Sequence, residues 1–264
     1  MYTSADLTFV IGAYKENPHI EDTIISLKNQ TVPANIIMST STPNEFLEKI
    51  CEKYEIPLYI NPVRQGAGAD WNYGYGQAKT ELVTIAHQDD FYEPEYAEEI
   101  IRHANLRDDV IMLYTDYYEY RIDTKVETNK ILRIKRMMNA PMTKKAFYGN
   151  RFIRRFMLSL GDPICCPAIT YVKKNAGEHP FDTNFVNSCD YKTKVDLAAK
   201  KGAFICIPKQ LVAHRIYPGS ATTQNLSDNI RQKEDFEIFC EFWPKPIARL
   251  INKMYATSEK SNEL

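Results

Sequence analysis

The residues of this 264-residue sequence that most directly suggest chemistry are two adjacent acids, Asp89 and Asp90. They end the segment His87-Gln88-Asp89-Asp90, which follows a run over residues 81–87 that predicts a buried strand. Neighbouring carboxylates repel each other, and a hard divalent cation such as Mg²⁺ or Mn²⁺, which also binds phosphate oxygens, relieves that repulsion. The pair therefore favours a metal site. A solvated Asp-Asp turn that caps the following helix is the competing interpretation.

Asp190 is the second candidate, in the run Ser188-Cys189-Asp190-Tyr191 that opens a predicted helix over residues 188–201. A carboxylate in the first turn of a helix is stabilised by the helix dipole, so Asp190 fits a structural cap. The same side chain at the mouth of a cleft fits a general base, which accepts a proton from a reacting group.

His214 and Arg215 form the third candidate, at the end of a predicted strand and before a Pro218-Gly219 turn. Imidazole and guanidinium groups are both suited to contact phosphate. Taken alone, the pair favours the simpler interpretation of a half-buried histidine beside a surface turn.

Four short strand-like runs, separated by helical patterns, must position these residues. The runs cover residues 7–13, 36–38, 56–60 and 81–87. A helix start is expected at Thr42-Pro43-Asn44-Glu45, with Thr42 as the cap. Strands that alternate with helices predict a parallel sheet with helices on both faces, and ligands bind beyond the carboxyl ends of such strands. The loops after the four runs are therefore expected to form the site.

The second half of the sequence is less regular. It predicts a strand over residues 110–120, two strands over residues 203–207 and 211–216, and closing helices over residues 227–242 and 246–255. Neither a repeat nor a low-complexity linker interrupts the chain. One continuous domain with a variable second half is therefore expected.

Composition excludes several classes of protein. Lys and Arg total 33 against 34 Asp and Glu, so the net charge of −1 excludes a generally basic nucleic-acid binder. No run approaches the ~20 apolar residues that span a bilayer. The N-terminus lacks the features of a signal peptide, and the six cysteines form no C-x-x-C pair. A cytoplasmic protein with reduced thiols is expected, with the inner face of the cell membrane as a candidate location.

A stretch without acids, residues 128–161, carries nine Lys and Arg residues interleaved with Phe, Met and Leu. Lys245, Arg249 and Lys253 recur at helical spacing beside apolar residues near the C-terminus. Such segments are typical of peripheral contact with an anionic membrane or with a lipid-linked phosphate. A solvated basic face, or one that steers an anionic ligand, explains them equally well.

The order and spacing of these motifs resemble those of the family-2 glycosyltransferases, which are inverting enzymes of the GT-A fold. The matching segments are Ala13-Tyr14-Lys15-Glu16, Ser26-Leu27-Lys28-Asn29-Gln30-Thr31, Gly66-Ala67-Gly68-Ala69-Asp70-Trp71-Asn72, His87-Gln88-Asp89-Asp90 at the D-x-D position, Cys189-Asp190-Tyr191 at the Glu-Asp position, and the run from His214 to Thr222. The resemblance implies an α/β protein: a Rossmann-like, mostly parallel open sheet flanked by helices, with a variable acceptor-side half. It further implies a nucleotide-sugar half over residues 1–120, an acceptor and catalytic half over 121–222, and C-terminal helices over 223–264.

The resemblance also implies a role for each candidate. Asp89 and Asp90 would bind Mn²⁺ or Mg²⁺ together with the donor diphosphate. Asp190 would be the catalytic base, and His214 would be a further metal or phosphate ligand. The donor pocket would be lined by Tyr14, Glu16, Thr40, Asp70, Asn72, His87, Gln88 and Asp89. The substrates would be a nucleotide-diphosphate sugar, with a UDP-sugar as the foremost candidate, and a saccharide or lipid-linked acceptor of surface-polysaccharide biosynthesis.

Three positions depart from the family pattern. His87 occupies the first position of D-x-D, Ser39-Thr40-Ser41 stands where acids usually follow the second strand, and Cys189 replaces the usual Glu before the base. A nucleotide- or sugar-binding module without catalysis therefore stays open as an alternative. A nucleotidyltransferase is less well supported, because the loop after the first strand is not Gly-rich, and the G-x-G-x-x-G of a dinucleotide dehydrogenase is absent there.

Overall fold

The protein is built around one mixed sheet. The computed structural model describes residues 1–122, 124–217 and 229–259. The strands are β1 (Leu7–Ala13), β2 (Asn35–Thr40), β3 (Leu58–Ile60), β4 (Leu82–His87), β5 (Phe91–Tyr92), β6 (Val110–Arg121), β7 (Thr124–Val126), β8 (Ile169–Val172) and β9 (Ala203–Ile216). Their order in the sheet is β3-β2-β1-β4-β8-β6-β9-β5, with β7 paired to β6.

Helices cover both faces of this sheet. They are α1 (Ile20–Lys28), α2 (Glu45–Tyr54), α3 (Ala67–Gln77), α4 (Tyr96–Ala104), α5 (Lys130–Asn139), α6 (Arg151–Leu158), α7 (Lys173–Ala176), α8 (Cys189–Ala199), α9 (Asn229–Cys240) and α10 (Lys245–Glu259). Apolar residues of α1, α2 and α4 form one buried cluster, and those of α3, α8 and α9 form the other. Among the described residues, no helix is both long and apolar enough to cross a membrane.

Strands β3, β2, β1 and β4 run parallel, which confirms the prediction from the alternating pattern. β1 lies inside the sheet with helices on both faces, which explains why all of its residues except Thr8 are apolar. Its register pairs Gly12 with His87 and Ala13 with Thr40. The carboxyl ends of β1, β2 and β4 therefore meet at one edge of the sheet, where ligand-binding loops are expected.

The second half of the chain completes the sheet with mixed pairing. β8 lies antiparallel between β4 and β6, and β9 runs parallel to β6. The short strand β5 pairs with the far end of β9, where Phe91 faces Ala213. This pairing brings His214 and Arg215 beside the two acids that follow β4, although the segments are far apart in sequence.

Two local predictions differ from the structure. The two strands expected over residues 203–207 and 211–216 are one strand, β9, because irregular pairing around Asp116 absorbs the intervening residues and keeps both parts on β6. The cap of α2 is Asn44, whose Oδ1 accepts a hydrogen bond of 3.0 Å from the Leu47 N–H. Thr42, the expected cap, instead accepts a 2.7 Å hydrogen bond from the Lys15 N–H.

Two predictions fall partly outside the described residues. Positions 218–222 of the closing motif lie outside them, and so does the start of the closing helix expected at residue 227. The described part of that helix, α9, begins at Asn229.

Close packing of α3 on the sheet requires a glycine. A Cβ at Gly74 would lie 2.6 Å from Val10 Cγ1 and 2.9 Å from Ser39 Cβ. A Cβ at Gly76, on the same helix, would have no atom within 4 Å. Gly74 therefore sets how closely α3 approaches β1 and β2, and with them the loops at their carboxyl ends.

We expect Gly74→Ala and Gly76→Ala to change the free energy of unfolding in opposite directions. The first substitution overpacks the contact with Val10 and should destabilise the protein by about 1–3 kcal/mol. The second adds only helix propensity and should stabilise it by about 0.5–1 kcal/mol. Urea denaturation measures both, and equal effects from the two substitutions would contradict the packing described.

Candidate active site

Asp90 is the most constrained residue at the carboxyl edge of the sheet. Its side chain is fully buried, and Oδ1 accepts a 2.8 Å hydrogen bond from the Arg215 N–H. Nδ1 of His214 lies 3.2 Å from the same oxygen, and Nδ1 of His87 lies 3.5 Å from Oδ2. Burial alone would raise the pKa of Asp90, but the two imidazoles and the Arg215 N–H hold it below its usual value. Asp90 is therefore a buried, ionised carboxylate in a fixed orientation.

Asp89 is held more loosely and lies nearer to the surface. Its Oδ2 accepts a 3.0 Å hydrogen bond from the Tyr217 hydroxyl, which in turn accepts one of 2.9 Å from Asn17 Nδ2. Burial raises the pKa of Asp89, and the charge of Asp90 adds to that effect. Two adjacent carboxylates with pKa values shifted in opposite directions are a site where a cation would remove the repulsion.

Arg215 supports the loop that carries the two acids, and the phosphate contact considered from the sequence stays a prediction. Its Nε donates to the backbone oxygen of Asp89 (2.9 Å), and its Nη2 donates to Asp22 Oδ2 (2.8 Å). The guanidinium also lies over the rings of Phe91 and Tyr120, 5.4 and 5.5 Å from their centroids. It thereby fixes the loop that carries the two acids.

The residues around Asp89 fit a divalent cation. One ligand atom each from His87, Asp89 and Asp90 lies within 4.8 Å of the others. The His87 ring stacks on Trp71, and its buried Nε2 has no hydrogen-bond partner among the described residues. Two carboxylates and an imidazole suit Mn²⁺ better than Mg²⁺, which prefers oxygen alone. His214 contacts this group through Asp90, and its own role as a metal ligand stays a prediction.

The turn after β1 is bonded to the segment that carries the two acids. Both polar atoms of the Gln88 side chain bond to the Tyr14 backbone, with Oε1 accepting at 2.9 Å and Nε2 donating at 3.1 Å. Lys15 adopts a left-handed conformation with φ of 56°, which turns the chain outward. Tyr14 and Glu16 are consequently exposed beside the carboxyl edge, where the sequence placed them.

Asp70 supplies a carboxylate near the end of β2, where the sequence lacks the usual acids. Its two oxygens accept hydrogen bonds from Ser41 Oγ (2.7 Å) and Asn61 Nδ2 (2.8 Å). These bonds join the start of α3 to the loops after β2 and β3. Asp70 thus supports these loops and places a carboxylate in contact with Ser41, in the segment where the family pattern has acids.

Two residues that the resemblance assigns to the donor pocket have side chains that bond to nearby backbone groups. Thr40 is fully buried, and its Oγ1 accepts a 3.0 Å hydrogen bond from the Thr42 N–H. Asn72 donates to the backbone oxygen of Phe181 (2.7 Å) and accepts from its N–H (3.1 Å). The amide of Asn72 therefore anchors the segment before α8 to α3.

Asp190 lies in the first turn of α8 and is paired with a buried lysine. Its Oδ2 lies 2.8 Å from Nζ of Lys194, which also bonds to Asp162 and to the backbone oxygen of Ile164 (3.0 Å). Burial alone would raise the pKa of Asp190, but Lys194 outweighs it and lowers the pKa. Since the side chain retains 21% exposure, Asp190 is an ionised carboxylate that a ligand can reach.

The thiols of Cys165 and Cys166 are affected by Asp90 and by Asp190 respectively. Burial raises the pKa of the Cys165 thiol, and the charge of Asp90 raises it further. Burial and the charge of Asp190 have the same effect on the Cys166 thiol. Asp90 and Asp190 therefore each lie near enough to this segment to act on the pKa of one of its thiols.

Sequence reasoning missed several residues of this site. Lys194 follows Asp190 at i+4, a spacing typical of helical ion pairs that signals this contact. Trp71 lay within a matched motif, but nothing local indicated its stacking on His87. Tyr217 and Asn17 bond to each other across the fold, and Lys135 was one of many basic residues in its stretch, so no local signal separated them.

Comparison with known proteins identifies the family pattern that this chain carries. The family described as Glycosyl transferase family 2 matches residues 8–179. The EpsH protein of Bacillus subtilis (strain 168), a glycosyltransferase by its name, is 27% identical over 111 residues. That match covers 40% of this chain and spans only 32% of EpsH.

Solved structures resemble the whole of this fold. One is the mannosyltransferase PcManGT from Pyrobaculum calidifontis in complex with GDP-Man and Mn²⁺, with a TM-score of 0.69 at 12% sequence identity. The match covers 98% of this chain and 74% of the PcManGT chain. TarS 1–349 from S. aureus has a TM-score of 0.63 at 12% identity, with 97% and 72% covered. At these identities the likeness establishes the fold, and it confirms the expected GT-A architecture.

Proposed function

Because the chain belongs to glycosyl transferase family 2, we propose that it transfers a sugar from a nucleotide-diphosphate sugar to an acceptor hydroxyl with inversion. The observation that carries this proposal is the grouping of His87, Asp89 and Asp90, whose ligand atoms lie within 4.8 Å of one another. A cluster that can hold a cation, together with an ionised carboxylate at Asp190 that a ligand can reach, supplies the two groups that a single displacement requires.

The donor is proposed to be a UDP-sugar bound with Mn²⁺. In support, TarS has been solved in complex with UDP and with UDP-GlcNAc, and PcManGT with GDP-Man and Mn²⁺. The residues of this chain that would hold the ion are His87, Asp89 and Asp90, and a bound divalent ion offsets negative charge on a leaving diphosphate. Tyr14, Glu16 and Asp70 lie on the loops that would surround the nucleotide.

Asp190 is proposed as the general base. As the acceptor oxygen forms its bond to the anomeric carbon, the bond from that carbon to the phosphate oxygen breaks, and the electron pair leaves with the nucleoside diphosphate. The acceptor hydroxyl proton passes to Asp190. Lys194 keeps Asp190 ionised and fixes its orientation, so the carboxylate is ready to accept that proton.

The remaining assignments follow the same division of the chain. We assign donor binding to residues 1–120, acceptor binding and catalysis to residues 121–222, and a supporting role to the C-terminal helices over 223–264, within one domain. The proposed acceptor is a saccharide or lipid-linked sugar of surface-polysaccharide biosynthesis, which places the enzyme in the cytoplasm at the inner face of the membrane. The alternative, a binding module without catalysis, would bind the donor but not hydrolyse or transfer it.

Exposed apolar residues on α6 and α10 support the membrane location. Phe152 of α6 is 78% exposed, and Leu250 of α10 is 61% exposed. Tyr255 of α10 packs against Gly161, which lies shortly after α6, so the end of α6 is near α10. Exposed basic residues lie on the same helices, Arg151 on α6 and Lys245, Arg249 and Lys253 on α10, as in segments that combine apolar insertion with attraction to anionic lipids.

Asp89→Ala should abolish metal binding and activity together. The substitution removes one of two neighbouring carboxylates, so we expect Mn²⁺ affinity and donor turnover to fall about 100-fold or more. Titration of free Mn²⁺ by electron paramagnetic resonance measures binding, and release of nucleoside diphosphate measures turnover. Glu95→Ala, at an exposed position in the following loop, is the control and should keep both. A fully active Asp89→Ala protein that needs no metal would refute the proposed metal site.

Asp190→Asn should separate catalysis from donor binding. The amide cannot accept the acceptor proton, so transfer should fall by about 10²- to 10⁴-fold while the affinity for the nucleoside diphosphate is retained. Calorimetric titration with UDP and a transfer assay measure the two quantities. Asp196→Asn, on the exposed face of the same helix, should change neither. Near-normal transfer by Asp190→Asn would assign the base to another residue.

Sedimentation with lipid vesicles tests the membrane contact. We expect the protein to pellet with vesicles that contain anionic lipid at low salt, and to be released by high salt because the attraction is electrostatic. Phe152→Ser combined with Leu250→Ser should weaken the association, whereas Ile25→Ser, an exposed apolar position on α1, should leave it unchanged. Failure of the unaltered protein to pellet at low salt would end this assignment.

A further inference from the structure

Lys135 is a half-buried cation in the second half of the chain that the proposed mechanism does not use. It lies on α5, and its Nζ donates a 2.9 Å hydrogen bond to the Tyr117 hydroxyl of β6. The ammonium also lies 5.4 Å from the centroid of the Tyr117 ring, and Tyr117 itself is 5% exposed. The buried tyrosine therefore fixes where this ammonium points.

No carboxylate within the described ranges pairs with Lys135. The next residue of α5, Arg136, shows the contrast, because its Nε lies 2.7 Å from Asp116 Oδ2. Lys194, which is fully buried, has two carboxylate partners. Removing an ammonium from water without a counter-charge is costly, so such a group is usually paired or bound to a ligand.

Two aromatic side chains connect Lys135 to the candidate metal site formed by His87, Asp89 and Asp90. The Tyr117 ring meets the His214 ring edge to face, with centroids 6.3 Å apart, and Nδ1 of His214 lies 3.2 Å from Asp90. The charges of Lys135 and Asp90 also act in opposite directions on the pKa of one thiol, that of Cys165, which burial raises. Lys135 is therefore linked to Asp90 by the side chains of Tyr117 and His214.

We propose that Lys135 is a phosphate-binding residue, whose ammonium, held by the Tyr117 hydroxyl, donates to a phosphoryl oxygen of the ligand in this cleft. A lysine ammonium carries more N–H donors than the one bond to Tyr117 uses, so donors remain for an anion. A phosphoryl group supplies the counter-charge that the described residues do not.

Two phosphates could occupy this position: the diphosphate of the donor and the phosphate of a lipid-linked acceptor. The contact through Tyr117 and His214 to Asp90 favours the donor, since the metal cluster is where a diphosphate would bind. In this form the inference rests on the proposed function. During transfer the ammonium would then stabilise the charge that builds on the leaving diphosphate.

Calorimetric titrations with Mn²⁺ present test the assignment. The probes are UDP, UMP and inorganic pyrophosphate, and the proteins are the unaltered enzyme, Lys135→Met, Lys135→Arg and, as a control on the same helix, Lys130→Met. We expect Lys135→Met to weaken UDP and pyrophosphate binding by about 10- to 100-fold and to change UMP binding much less, because the contact is to the terminal phosphate. Lys135→Arg should retain most of the affinity, and Lys130→Met, at an exposed position, all of it.

Thermal melting separates this role from a structural one. Methionine removes an unpaired half-buried charge, so Lys135→Met should melt at the same temperature as the unaltered protein or higher while it binds more weakly. A lower melting temperature, with unchanged affinity both for UDP and for the lipid phosphate used below, would show that Lys135 only supports Tyr117 and would overturn the proposal.

A second set of measurements identifies the source of the phosphate. In these measurements, vesicles of uncharged lipid that also contain a polyprenyl phosphate replace the nucleotide as the ligand. If Lys135→Met retains UDP affinity but loses binding to these vesicles, Lys135 binds phosphate on the acceptor side. If it retains both, Lys135 binds no phosphate and the inference is wrong. If the unaltered protein binds pyrophosphate through Lys135 but binds no UDP, the inference stands and the proposed donor fails. If the unaltered protein binds none of the probes, both the inference and the proposed donor fail.

Discussion

The burial of one ionised carboxylate, that of Asp90, is the constraint on which the site depends. A carboxylate without exposure is stable only when its neighbours replace the water it has lost, and here the Arg215 N–H and two imidazoles do so. These partners come from β4 and from the end of β9. The acid therefore joins the two halves of the sheet, and Asp89 is positioned because its neighbour cannot move.

Two lysines near the candidate site differ in whether a carboxylate pairs with them. Lys194 is neutralised by Asp162 and Asp190, so its charge serves to orient the proposed base. Lys135 faces the same region without a carboxylate of its own among the described residues, so its charge is available to a ligand. Among the described residues, Lys194 is thus neutralised within the protein, whereas the proposed partner of Lys135 is an anionic ligand.

Local patterns predicted the parallel half of the fold well, because strands buried on both faces have unmistakably apolar sequences. The position of Asp89 and Asp90 at the end of β4 followed from the same patterns. What the sequence did not reveal depends on pairing between distant segments: β9 is one strand because β6 continues beside it, and Arg215 is structural because Asp22 and Asp89 happen to surround it. Thr40 and Asn72 were assigned by resemblance to the donor pocket, but their polar atoms are engaged by Thr42 and Phe181.

The pairing of Asp90 with Arg215 also bears on how the molecule is made. The two residues are separated by 125 positions, so a ribosome must synthesise most of the chain before β9 can join the sheet. Until then Asp90 has neither its backbone donor nor His214, and the acidic pair lies in a half-built sheet with no rigid geometry for an ion. The geometry of the candidate metal site therefore forms at a late stage of folding rather than with the first parallel strands.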